Sequence, residues 1–140
     1  MTDQANAIAG HELTTTTNAG TGYTTSIRYT AAPSDGGSEA IDDVSPGTNL
    51  IPAAFSAAGV EAFGYTTDDA TLSNVGDGVD RFTTPADYWA KFTTGNLEVA
   101  YNGAKIADDV VRVGYQVGIA STTAAATYTT TVIITCTPQY

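Results

Sequence analysis

The sequence predicts an all-β fold, a two-sheet antiparallel β-sandwich, and three observations lead there. The 140-residue chain holds 25 threonines and eight tyrosines against five lysines and arginines, and β-branched and aromatic side chains suit a pleated, half-buried surface. Apolar residues alternate with polar ones in its clearest periodic segments, which is the period of a strand. Turn formers recur at short intervals with no strand-helix-strand rhythm, which argues against a parallel sheet. A β-barrel is the alternative architecture. Length leads us to expect one domain over residues 1–140, with residues 1–12 as an extended arm.

Leu13 to Thr17 and Tyr23 to Thr30 read as strands flanking Asn18-Ala19-Gly20-Thr21-Gly22, a loop whose asparagine and glycines accept positive φ. A hairpin is expected there. Pro33 to Gly47 carries acids, turn formers and two prolines without an apolar period and reads as loop. Ile51 to Gly59 is expected to hold a helical turn, Val60 to Thr66 to reach a sheet, and Asp68 to Asp80 to be loop again. At Thr84-Pro85-Ala86-Asp87 a hydroxyl cap, a proline at the first helical position and an acid in the first turn coincide. A short helix around residues 85–92 is therefore expected, burying Tyr88, Trp89 and Phe92 together. Leu97 to Tyr101 supplies a further strand, followed by Asn102-Gly103, the strongest two-residue hairpin signal in the chain.

Val111, Val113, Tyr115, Val117 and Ile119 alternate with Arg112, Gly114, Gln116 and Gly118. Tyr128, Val132, Ile134 and Cys136 form a second such row against Thr129, Thr131, Thr135 and Thr137, with Ile133 the exception and Thr130 interrupting the inner row. With only Ser121 to Ala126 between them, these two segments are expected to form an antiparallel hairpin with one face buried. The total comes to about seven strands.

Composition also limits function. The formal charge of −10 repels nucleic-acid phosphates and anionic membrane surfaces, and no apolar run approaches the roughly 20 residues of a spanning helix. One cysteine and one histidine exclude an internal disulfide and a cysteine- or histidine-built metal centre. Charged residues make up 14% of the chain, well under the roughly 25% of an average soluble domain. A lysine-poor, threonine-clad acidic surface points to an extracellular or cell-surface protein.

Cys136 is expected as a small buried hydrophobe and His11 as an edge histidine, which leaves no nucleophile and base for catalysis. Asp68, Asp69, Asp77 and Asp80 gather acids and glycines in one loop region, the ligand chemistry calcium takes. Their spacing does not match the twelve-residue helix-loop-helix cation site, and turn chemistry alone favours the same residues. Tyr88, Trp89 and Tyr101 are the candidate flat faces for a polysaccharide, against a reading of Trp89 as a core anchor.

The two ends carry a resemblance. His11-Glu12-Leu13-Thr14-Thr15-Thr16-Thr17-Asn18-Ala19-Gly20-Thr21-Gly22-Tyr23, together with Val113 to Ile119, Ala125 to Val132 and Thr135 to Pro138, resembles the opening and close of secreted bacterial β-sandwich surface proteins of uncultivated phyla. The closing segment is similar to an immunoglobulin-like C-terminal hairpin. Ala124-Ala125-Ala126 departs from the Pro-Ala-Gly of that pattern. The resemblance implies a non-enzymatic surface-layer, adhesin-like or filament-forming role. It also implies one more strand ahead of His11 than this chain has, so a sheet edge is expected to stand open for a strand of another copy.

Overall fold

The computed structural model describes residues 6–73, 80–82 and 88–140. Six strands form among them: β1 (Asn6–Thr17), β2 (Tyr23–Tyr29), β3 (Ala62–Thr67), β4 (Leu97–Asn102), β5 (Ile106–Gly118) and β6 (Val132–Pro138). They build two three-stranded antiparallel sheets, ordered β1-β5-β3 and β4-β2-β6, packed as a sandwich and not closed into a barrel. Residues 6–12 belong to β1 and pair with β5 from Asn6↔Gly118 onward, so this part of the expected arm is sheet.

Odd-numbered strands make one sheet and even-numbered strands the other, so every connection crosses between layers. This corrects all three expected hairpins. The strands on either side of Asn18 to Gly22 lie in different sheets, as do those flanking Asn102-Gly103 and those joined through Ser121 to Ala126. Alternation fixes which face of a strand is buried, and the same turn residues serve a return to one sheet or a crossing to the other. Contact between two crossings favours the second outcome here. Gly22 sits at φ 80°, and a methyl group built on it would lie 1.8 Å from the Asn102 carbonyl oxygen. The Gln139 amide also donates to the Gly22 carbonyl at 2.8 Å, tying the first crossing to the tail.

The core lies between the inner rows. β2 contributes Tyr23, Thr25, Ile27 and Tyr29, and β5 contributes Val111, Val113, Tyr115 and Val117, the β5 row being the one its alternation predicts. Phe92 is the hub: its ring lies 5.0 Å from Phe63, 4.8 Å from Tyr65 and 5.5 Å from Tyr29, centroid to centroid. Such offset aromatic pairs add about 0.5–1.5 kcal/mol each beyond their buried area.

The segment that carries Phe92 corrects the helix expectation. Residues 88–92 are extended, with Trp89 bridged to Ala53 and Ala90 to Tyr65. The proposed cap, Thr84 to Asp87, lies outside the described residues. The Ala90 amide donates to the Tyr65 carbonyl at 2.9 Å and the Tyr65 amide to the Ala90 carbonyl at 3.0 Å, so the segment covers the outer edge of β3. Ala90 and Phe92 enter the core while Trp89 turns to the opposite face, the alternation of an extended path. Ile51 to Gly59 likewise forms no helical turn.

Candidate functional site

The two lateral sides of the sandwich differ. On one, β3 and β4 are stitched together by buried side chains. The Thr67 hydroxyl donates to the Val99 carbonyl at 2.6 Å, and Asn49 Nδ2 donates to the Glu98 carbonyl at 2.8 Å and to the Tyr65 hydroxyl at 2.7 Å. Arg81, buried at 3% exposure, donates through Nε to the Asn49 carbonyl at 2.6 Å and meets Glu98 Oε2 at 3.4 Å. Burial pushes the Tyr65 hydroxyl well above the usual phenol range. Nothing in the local sequence signals this network, because Arg81 and Asn49 stand in unpatterned loops.

On the other side, β1 and β6 are the outer strands of their sheets, with no partner beyond them among the described residues. Opposed residues share a face. Ile134 therefore points inward beside Ile27, and Cys136 beside Thr25. Ile27 and Thr25 are 0% and 2% exposed, yet Ile134 is 39% exposed and Cys136 is exposed as well. Burial is thus lost within one strand. On β1 the inward row Ala7 and Ala9 is exposed, and Leu13 only half-buried. A hollow between the ends of β1 and β6 is lined by Thr15, Thr17, Tyr23, Cys136 and Pro138. The Cys136 expectation is corrected: it lies on the apolar row, but among the described residues no second layer covers that row at Cys136.

Charge is arranged to match. From Val113 to Tyr140 there is no aspartate, glutamate, lysine, arginine or histidine, in a chain of formal charge −10. β6 and all that leads into it are uncharged. Low total charge was legible in composition, and its concentration on one sheet edge was not.

The expected cation ligands diverge. Asp69 accepts from the Thr71 amide at 2.6 Å through Oδ1 and from the Tyr101 amide at 2.7 Å through Oδ2, capping the edge of β4. Asp68 faces the other sheet, where it accepts from the Arg112 amide at 2.7 Å. Asp77 lies outside the described residues, and Asp80 is half-buried beside Arg81 in sequence. Among the described residues no group of three or more acidic, histidine or cysteine side chains is placed to hold a metal ion.

The aromatic trio is also divided. Trp89 is 7% exposed, edge-on to Phe55 at 5.5 Å, on the outer face of the β1-β5-β3 sheet. Tyr101, opposite Thr24, lies on the outer face of the other sheet. Tyr88 is half-buried. These residues do not share one platform. His11 stacks on Tyr115 at 5.5 Å, and no nucleophile is hydrogen-bonded to it among the described residues.

The fold defines an all-β sandwich whose β1–β6 side has no cover among the described residues. Comparison with protein-family models, curated proteins and solved structures finds no match to the chain.

Proposed function

We propose that the chain is a non-enzymatic structural protein of an extracellular or cell-surface assembly, joined to other copies of itself by strand addition along β6. One observation carries this reading: the inward row of β6 is exposed on an edge strand that bears no charge. Monomeric proteins blunt such edges with lysines, inward charges, bulges or very short strands. β6 uses none of these, pairing regularly with β2 through all seven of its residues, with a proline only at its end. An incoming extended segment with alternate apolar residues would cover Ile134 and Cys136 while its backbone completes the ladder.

Cys136 makes the test direct, since its thiol lies in the opening. In dilute protein the thiol is expected to react at once with a disulfide reagent. As concentration rises it becomes protected, in step with light scattering and with particles seen by electron microscopy. A strict monomer with a fully reactive Cys136 at every protein, salt and calcium concentration overturns the proposal.

A further inference from the structure

We propose that β1 also pairs with β1 of a second copy, antiparallel about a two-fold axis at Ala9, each Ile8 seated on a glycine valley of the other copy. The valley lies on the outer face of the β1-β5-β3 sheet, away from β6. Gly10 is paired with Gly114, so a line of bare backbone crosses β1 and β5, and Thr66 and Trp89 close it on the β3 side, the Thr66 methyl 3.0 Å from where a Gly114 side chain would begin. A groove of about 610 Å³ follows it, lined by Ile8, Gly10, Glu12, Thr66, Arg112 and Gly114. Ile8 stands at its rim, 68% exposed, two residues from Gly10 on the same face.

A knob and a hole on one strand, two positions apart, are the condition for a self-complementary contact. Antiparallel pairing about Ala9 places Ile8 of each copy directly opposite Gly10 of the other, and both partners gain at once. A large side chain across from an edge glycine fills the space the glycine leaves. Charge permits the approach, since residues 4–11 carry no carboxylate and Glu12 is engaged by Arg112 at 3.5 Å. Moving the axis to Gly10 would set Ile8 beside Glu12 and forfeit the fit. The free edge of β1 supplies the hydrogen-bonding groups for the added ladder.

This contact does not rest on the β6 reading: Cys136 labelling reports on β6, and the measurements below report on β1. Sedimentation of the full chain should show a dimer. Ile8→Glu, at an exposed position, should leave the thermal melt unchanged at protein concentrations too low for the wild type to dimerise, and weaken the dimer at least about 100-fold, because two apolar contacts become two desolvated charges. In a Cys136→Ser background, Ala9→Cys should link two copies under mild oxidation, since residues opposed on the axis lie within disulfide reach. Thr14→Cys, off the axis, should not. A monomeric wild type, a dimer that survives Ile8→Glu, or the absence of a link at position 9 overturns the proposal.

Discussion

At the scale of single residues, Arg81, Asn49, Thr67 and Asp69 are buried polar side chains that act as structural fixings. Arg81 is the clearest, a guanidinium without exposed side-chain surface that holds Asn49 and Glu98. Arg81→Ala would strand the carboxylate and the Asn49 carbonyl, and a loss of about 3 kcal/mol in urea denaturation is expected. The tyrosines give a second readout. Burial raises Tyr29 and Tyr115 from 10.0 to about 12, so the folded chain keeps phenolic protons that the unfolded chain releases. Their contribution to stability is intact below pH 10 and is lost as pH rises to about 12. The share of tyrosinate absorbance that belongs to these buried tyrosines should therefore appear in an alkaline titration only together with unfolding. Little of this layer was legible in sequence: Asp69 reads as a turn residue, and only the fold shows that it caps β4.

At the scale of elements, alternation correctly gave the inner rows of β5 and β6, because the side-chain period of a strand is independent of its partner. For the same reason it could not give the pairing. Asn102-Gly103 and Gly20-Thr21-Gly22 both turn the chain sharply, and both carry it over the edge to the other layer. Residues 88–92 show a different limit: a good cap predicted a helix, and the pull of Phe92 into the core and of Ala90 onto β3 prevailed. The crossing at Gly22 is testable against a control. Gly22→Ala meets both a positive φ and the Asn102 carbonyl, whereas Gly36→Ala meets a φ of 81° with nothing within 4 Å. Thermal melts should show a cost of about 1 kcal/mol for Gly36→Ala, and at least about 2 kcal/mol more for Gly22→Ala.

At the scale of the whole molecule, interleaved strands make every ladder non-local. Asn6 must find Gly118, and Tyr23 must find Pro138, before either row is complete. Long loops have to close before contacts reward them, which places refolding in the range of about milliseconds to seconds. Stopped-flow refolding followed by Trp89 fluorescence should fall there, and a microsecond phase carrying the full amplitude would contradict the topology. The candidate site belongs to this scale too. The resemblance of the two ends implies an open edge near the N-terminus, and only packing shows that β1 and β6 together lack cover among the described residues.

The placement of the two outer strands has a mechanical consequence. The end of β6 shares a hollow with the last residues of β1, so Asn6 and Pro138 stand toward opposite ends of the sandwich. Tension applied between them runs along the strand axes, at right angles to the ladder bonds. Those bonds are then strained side by side, all at once, and not peeled one after another. A subunit strung between neighbours by these strands would resist stretching along the direction of its own chain.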